Sequence, residues 1–152
     1  YILFMDADNS TPIEEFEKLH AVLNDSCDVA IGSRSIITSN VEIHQNAIRE
    51  VMGKTFNLIA RLLSFHGICD SQCGFKAFKR EAAQTLFHRQ KLNGFCFDAE
   101  ILFLAQKMGF RISEVGVCWR NSPQSKVRIL RDSFCMLFDL FRIRALHFGE
   151  KY

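Results

Sequence analysis

The sequence predicts an α/β layered domain with a mainly parallel sheet. Short apolar segments that are typical of strands alternate along the chain with amphipathic segments that are typical of helices. The chain has 152 residues, of which 48% are hydrophobic and 24% are charged. This composition is ordinary for a globular domain and excludes disordered and collagen-like classes, and the length allows a core without disulfides or metal.

The first half of the chain is predicted to hold two strands and two helices. A buried strand over 1–5 precedes a helix that begins with a capping box at 11–14, with Pro at its first position. A second short strand spans 27–31. The stretch 36–45 has no consistent period and is predicted to be a loop, and a long amphipathic helix follows over 46–65.

The second half is predicted to continue the alternation of strands and helices. A strand over 75–78 precedes a short helix over 80–87 and a further helix over 98–107. Alternating polar and apolar residues over 111–119 predict another strand. The last helix, near 129–147, is apolar over most of its circumference. This pattern suits a helix packed on the sheet, and equally an amphipathic helix in the headgroup region of a membrane.

Charge is distributed unevenly, although the net charge is only +2. Residues 1–30 hold seven acidic side chains and one basic one, whereas residues 120–152 hold seven basic and three acidic ones. This asymmetry suits a site for a metal and a phosphate, and equally two solvated faces. Because the net charge is small and no contiguous basic stripe occurs, we expect no nucleic-acid partner.

The start of the chain predicts that it is the later part of a longer protein. The first residue is Tyr1, and residues 1–5 already have the pattern of a buried strand. No apolar run approaches the roughly 18 residues of a membrane span, so we expect any anchor to lie upstream. Six cysteines without zinc-like spacing are expected to be free thiols in a reducing compartment.

Asp6 and Asp8 form an Asp-x-Asp pair at the end of the first predicted strand. Open α/β sheets bind ligands at the carboxyl ends of their strands, and Mg²⁺ favours one or two carboxylates together with substrate phosphates. The two residues are therefore candidate metal ligands. The alternative is that these acids only stabilise the start of the following helix.

A polar loop with a glycine precedes the strand predicted over 75–78. Lys76 could contact a phosphate oxygen, and Asp70 or Gln72 a sugar hydroxyl. The alternative is a polar turn in which Gly74 supplies backbone freedom.

Two further segments offer polar groups. Asp98 and Glu100 stand at a predicted helix start, where Asp98 could orient a reacting group or act only as an N-cap. Ser125, Lys126 and Arg128 offer a hydroxyl and two cations to a phosphate, and could equally form an exposed basic loop.

Taken in chain order, these segments resemble the family 2 inverting glycosyltransferases, and the resemblance extends over essentially the whole chain. The segments that carry it are Asp6-Ala7-Asp8, Gly32-Ser33-Arg34, Asp70-Ser71-Gln72-Cys73-Gly74-Phe75-Lys76, Phe97-Asp98-Ala99-Glu100, Ser125-Lys126, Arg131-Asp132-Ser133 and Phe141-Arg142-Ile143-Arg144. The resemblance implies a GT-A fold without its first strands, so that residues 1–152 form the carboxyl-terminal part of a single domain. We expect this part alone to be inactive or weakly active.

The resemblance also implies an activity, which is transfer of glucose from UDP-glucose to dolichyl phosphate or another polyprenyl phosphate, with inversion, for lipid-linked glycosylation. It implies that Asp6 and Asp8 hold Mg²⁺ or Mn²⁺ on the diphosphate and that Arg34 contacts the donor. The remaining implied roles are catalytic residues Asp70, Asp98 and Glu100, and donor or phosphate contacts from Gln72, Lys76, Ser125, Lys126 and Arg128.

Such an enzyme is expected at the endoplasmic reticulum membrane with its site facing the cytosol, and its last helix is a candidate membrane contact. Two alternatives remain open at this point. One is a related transferase with another sugar or acceptor, and the other is an inactive scaffold module.

Overall fold

The computed structural model describes residues 1–43, 47–121 and 129–150. The elements in chain order are β1 (Ile2–Met5), a 3₁₀ turn (Ile13–Glu15), α1 (Phe16–Asp25), β2 (Val29–Ser33), β3 (Asn40–Ile43), α2 (Ala47–Leu63), β4 (Phe75–Phe78), α3 (Arg80–Arg89), α4 (Phe97–Lys107), β5 (Ile112–Gly116), β6 (Cys118–Arg120) and α5 (Ile129–Leu146). Strands and helices alternate, as the sequence predicts.

A four-stranded mixed sheet with the order β1-β4-β2-β5 forms the centre of the protein. β4 is antiparallel to both of its neighbours, whereas β2 and β5 are parallel. β1, β2 and β5 therefore run in the same direction, but two of the three pairings are antiparallel, so the sheet is mixed where the sequence predicts a mainly parallel one. The central strand β4 runs against them, so that only the β2–β5 pairing is itself parallel.

A second, two-stranded parallel sheet pairs β3 with β6 and corrects two predictions. The stretch predicted as a loop over 36–45 contains strand β3. The single strand predicted over 111–119 is divided at Val117 into β5 and β6, which belong to different sheets. Both strands are short and are held by partners far away in the chain, so local periodicity does not reveal them.

Helix starts also differ from the predictions. The capping box predicted at 11–14 is wrong, because Pro12 itself occupies the cap position with ψ of 146° and no side chain caps the turn. The N-cap of α4 is Cys96, so that the alternative role of Asp98 as an N-cap is wrong as well. Asp98 is the second residue of the helix, two residues after the N-cap.

Apolar layers cover both faces of the sheet. One face packs against α1, through Leu19 and Leu23. The other face packs against the remaining helices, and its core contains residues of α2, α3, α4 and α5. Successive residues of a strand point to opposite faces, so that Phe75 and Ala77 join the α1 layer while Phe78 joins the layer of the other helices.

α5 packs against this second layer through Leu140 and Ile143, which are fully buried. The prediction that the helix packs on the domain is confirmed for this face. Within the three described ranges, no helix is both long enough and apolar enough to cross a lipid bilayer.

Candidate active site

Polar side chains meet at one edge of the four-stranded sheet. Asp6 follows β1 and Arg34 follows β2, and these strands end at the same edge because they run in the same direction. β4 runs the opposite way, so the loop 69–74 that precedes it arrives at this edge too. The backbone N–H of Asp6 donates a hydrogen bond of 2.8 Å to the carbonyl oxygen of Gly74, which joins the two segments.

Arg34 and Asp70 form a bidentate ion pair at this edge. Nε and Nη2 of Arg34 donate to Oδ2 and Oδ1 of Asp70 over 2.7 and 2.8 Å, and the backbone N–H of Arg34 adds a third bond of 2.9 Å. Asp70 is fully buried. Burial alone would raise the pKa of Asp70, but the Arg34 guanidinium outweighs it and holds that pKa below its usual value.

The ring of Trp119 supports the guanidinium of Arg34 from a second side, with Cζ 5.3 Å from the ring centroid. Nη1 of Arg34 makes no hydrogen bond to any residue in the described ranges. Within the described ranges, the guanidinium is therefore held at two nitrogens, Nε and Nη2, by Asp70.

Lys76 and Asp98 form a second buried ion pair. Nζ of Lys76 lies 2.5 Å from Oδ1 of Asp98, and it donates a further bond of 2.6 Å to the carbonyl oxygen of Cys73. Burial raises the pKa of Asp98, and the Lys76 ammonium opposes that shift. The pair joins the central strand to the first turn of α4.

Asp6 and Asp8 differ from these acids because both are exposed to solvent. Asp8 accepts a hydrogen bond of 3.0 Å from the backbone N–H of Ser10. The pKa of Asp6 is raised by partial burial and by the charges of Asp8 and Asp98, against the opposing effect of the Lys76 and Arg34 cations. Negative charge therefore accumulates at this pair.

The donor set of Asp6 and Asp8 fits a divalent cation. Two neighbouring carboxylates that repel each other are stabilised by a cation, and Mg²⁺ is commonly held by one or two carboxylates with phosphates and water. No group of three His, Cys, Asp or Glu side chains in the described part of the chain forms a complete metal site. A cation at this pair could take further ligands from a bound phosphate and from water.

Gly74 gives the Asp6 carboxylate its space. A Cβ at position 74 would overlap the carboxylate of Asp6. Gly74 is not among the glycines with positive φ, so the alternative that it supplies backbone freedom is wrong. Close approach is the physical reason for glycine here.

The loop 69–74 is anchored from two sides by residues that the sequence analysis missed. Oδ1 of Asn57 on α2 accepts bonds of 3.2 and 2.7 Å from the backbone N–H and the hydroxyl of Ser71. Glu114 on β5 accepts the backbone N–H groups of Cys69 and Asp70 over 2.9 and 2.8 Å. For Glu114, the sequence shows only an acidic residue inside a predicted strand, and this pattern does not by itself reveal a partner.

Gln72 lies on this same anchored loop. Its Nε2 is buried and has no hydrogen-bond partner among the described residues. A buried amide without a partner is costly, so its environment favours a bound acceptor atom. Gln72 stays a predicted donor contact.

Glu100 does not belong to this cluster, which corrects the grouping of Glu100 with Asp98. Its buried carboxylate accepts the backbone N–H groups of Lys91 and Leu92 over 3.0 and 2.8 Å and lies 2.7 Å from Nε2 of His147. Residues two apart on a helix point about 200° away from each other around its axis. Glu100 therefore joins α4 to α5 while Asp98 faces Lys76.

The structure thus brings together six of the predicted site residues, namely Asp6, Asp8, Arg34, Asp70, Lys76 and Asp98. The predicted contacts Ser125, Lys126 and Arg128 lie outside the described residues.

Comparison with known proteins defines the class. The family model described as glycosyl transferase family 2 matches residues 1–87. The chain therefore belongs to this family, and the expected α/β fold class of GT-A type is confirmed.

Individual relatives are similar over most of the chain. A dolichyl-phosphate beta-glucosyltransferase of Trichomonas vaginalis is 36% identical over 97% of this chain and 44% of the relative. Relatives of the same name in Dictyostelium discoideum and Homo sapiens are each 34% identical, over 95% and 83% of this chain and 46% and 41% of their own lengths. The chain spans less than half the length of these relatives.

Replacing Asp70 tests the buried ion pair. Asp70→Asn leaves the Arg34 guanidinium without its counter-charge, so we expect the free energy of unfolding to fall by about 3–5 kcal/mol in urea denaturation at pH 7. The matched control Lys54→Gln removes one partner of the exposed ion pair with Glu50 and should change the free energy of unfolding by less than about 1 kcal/mol.

The same variant tests the direction of the pKa shift. Because the pKa of Asp70 is lowered in the folded protein, its stabilising effect is present above the unfolded pKa of about 3.9 and is lost as the pH falls through the folded pKa. The stability gap between wild type and Asp70→Asn should therefore close in acid. A gap that stays constant down to the acid-unfolding range would contradict the assignment.

Proposed function

We propose that this protein transfers glucose from UDP-glucose to dolichyl phosphate with inversion at the sugar carbon, with Mg²⁺ or Mn²⁺ as cofactor. The observation that carries the proposal is the exposed Asp6 and Asp8 pair beside the cations of Arg34 and Lys76 at one sheet edge. The names of the relatives supply the sugar and the acceptor class.

In this proposal, the acidic pair and the neighbouring cations bind different parts of a nucleotide sugar complex. Asp6 and Asp8 would hold the cation, which when bound supplies charge neutralisation for the diphosphate that leaves. Arg34 would direct Nη1 at a phosphate oxygen, and the amide of Gln72 would donate to the donor sugar or a phosphate. Fixed donors of this kind stabilise developing charge because they need no reorganisation during the reaction.

The acceptor chemistry explains why Asp70 and Asp98 can be paired with cations. A phosphate acceptor is already ionised near neutral pH, so it needs no strong general base, unlike a sugar hydroxyl. The buried carboxylate of Asp70 is neutralised by Arg34, and that of Asp98 by Lys76. We therefore assign these two acids to positioning their cations, in place of the proton transfer that a catalytic acid or base would perform.

The location follows from the same proposal. A dolichyl-linked acceptor resides in a membrane, and nucleotide sugars are made in the cytosol, which favours the cytosolic side of the endoplasmic reticulum. All six cysteines are free, as expected for a reducing compartment.

The outer face of α5 supports contact with the membrane surface. While Leu140 and Ile143 face the core, an aromatic stripe occupies the opposite side of the helix. Its members and their exposed fractions are Phe134 at 72%, Phe138 at 66% and Phe141 at 58%, and Phe148, 88% exposed, follows in the turn after the helix. An apolar stripe of this kind is typical of helices that lie in the plane of the headgroups.

Two basic residues flank this stripe. At 100° per residue, Arg142 and Arg144 lie on either side of the line through Phe138 and Phe141. Nη1 of Arg142 contacts Asp139 over 2.7 Å, and Nη1 of Arg144 donates to the carbonyl of Leu63 on α2. Cations beside exposed aromatic rings favour an anionic lipid surface over a neutral one.

Neutralising either carboxylate of the Asp-x-Asp pair tests the metal site. In the full-length protein, Asp6→Asn and Asp8→Asn should each lower Mn²⁺-dependent glucosyl transfer by roughly 10²-fold or more, because the diphosphate loses its charge partner. The matched control Asp25→Asn changes an exposed acid of α1 and should keep wild-type activity. Wild-type activity in both Asp6→Asn and Asp8→Asn would contradict the proposed metal site.

The same Asp6 variant separates loss of function from loss of folding. Because the pKa of Asp6 is raised, its ionised form is less favourable in the folded protein than in the unfolded chain. Asp6→Asn removes that charge, so its melting temperature without metal at pH 7 should equal or exceed that of the wild type. A clear decrease would show that Asp6 has a structural role instead.

The membrane contact is tested by moving a fluorescent reporter onto the stripe. In the full-length protein on vesicles with anionic and brominated lipids, the fluorescence of Phe138→Trp should be quenched, because the stripe enters the headgroup region. The control Ile37→Trp places the reporter at a fully exposed site before β3. The buried Trp119 contributes the same background in both variants. Equal quenching of the two reporters would rule out a specific contact through α5.

A further inference from the structure

Glu114 uses both of its carboxylate oxygens to hold the amino-terminal end of the site loop. Oε2 accepts the backbone N–H of Cys69 over 2.9 Å, and Oε1 accepts that of Asp70 over 2.8 Å. In the parallel pairing of β2 with β5, Glu114 lies opposite Ile31, three residues before Arg34. The side chain therefore reaches the loop from β5, the strand next to β2, which Arg34 follows.

The two consecutive backbone donors each meet a separate oxygen of Glu114, an arrangement that a carboxylate provides. Ionised glutamate is acceptor-only at both oxygens, whereas glutamine has one acceptor oxygen and one donating amide. Bonds from backbone N–H groups to a carboxylate are charge-assisted and stronger than neutral ones. The residue type at position 114 thus matches the two donors that it meets.

Glu114 determines the position of Arg34 indirectly, because both residues contact Asp70. Glu114 fixes the backbone of Asp70, and the carboxylate of Asp70 fixes Arg34 through three hydrogen bonds. A bidentate pair depends strongly on geometry, so a small displacement of Asp70 would turn the guanidinium away. Nη1 of Arg34 makes no hydrogen bond to a described residue. A displacement of the guanidinium would therefore weaken a hydrogen bond from Nη1 to a bound ligand.

The rest of the loop does not depend on Glu114. Ser71 is held by Asn57, the carbonyl of Cys73 by Lys76, and the carbonyl of Gly74 by the backbone of Asp6. Glu114 also lies outside both apolar core clusters. Its loss should therefore move the end of the loop at Asp70 while the loop and the domain stay folded.

We propose that Glu114 is a positioning residue of the donor site, which sets the affinity for the diphosphate of the nucleotide sugar by holding Asp70 and thereby Arg34. The inference rests on the proposed function, and it assigns a role to a residue that accepts its hydrogen bonds from the backbone of the site loop.

A double-mutant cycle in the full-length protein tests this role. Glu114→Gln should weaken UDP-glucose binding in the presence of Mn²⁺ by about tenfold in calorimetry. It should raise the KM for UDP-glucose more than the KM for the acceptor. The matched control Glu81→Gln changes an exposed acid of α3 and should leave both values unchanged. In an Arg34→Ala background, Glu114→Gln should produce no further loss, because its effect passes through Arg34.

Two results would overturn the inference. One is wild-type donor affinity in Glu114→Gln, and the other is a full additional tenfold loss in the Arg34→Ala background, which would indicate general disruption. A second cycle uses Glu114→Asp, which keeps the charge but is one methylene too short to reach both amides. It should give the same pattern. This cycle covers the case in which Glu114→Gln does not fold.

Failure of the proposed function gives a different result. If the wild-type protein neither binds UDP-glucose nor transfers glucose, both proposals fall together. If the wild type binds and transfers but Glu114→Gln matches Glu81→Gln, only the role of Glu114 falls.

Discussion

The direction of β4 is the constraint on which the site depends. Three strands of the sheet run one way, and their carboxyl ends deliver Asp6 and Arg34 to one edge. Because β4 runs the other way between β1 and β2, the loop before it reaches the same edge and brings Asp70. A fully parallel sheet would place that loop at the opposite edge, and the ion pair between Arg34 and Asp70 could not form.

The acidic residues at this edge fall into a buried pair and an exposed pair. The buried acids are each neutralised by one cation, Asp70 by Arg34 and Asp98 by Lys76. The acids Asp6 and Asp8 lie at the exposed surface of the site, and the pKa of Asp6 is raised first by partial burial of its carboxylate and then by the charge of Asp8. Burying charges in pairs costs less than burying them singly, so the paired acids Asp70 and Asp98 can be buried while Asp6 and Asp8 stay available to a cation.

α5 has a packed face and an exposed apolar face on the same helix. Its apolar residues almost surround the helix, and the structure divides them between a face packed on the core and a stripe of exposed phenylalanines. His147, which directly follows the helix, is buried beside Glu100. Glu100 points away from the candidate site and helps to hold α5 in place. The exposed stripe is therefore carried on a firmly attached element.

The sequence by itself determined the alternation of strands and helices, the place of the Asp-x-Asp pair at the end of β1, and the family, because these depend on local pattern and motif order. Only the tertiary structure decided that Arg34 pairs with Asp70 across 36 residues, that Glu114 anchors the loop, that Glu100 faces away from Asp98, and that β3 exists. These features depend on strand direction, register and helix phase. Such quantities are fixed by the packing of distant segments, and a local stretch of sequence does not contain them.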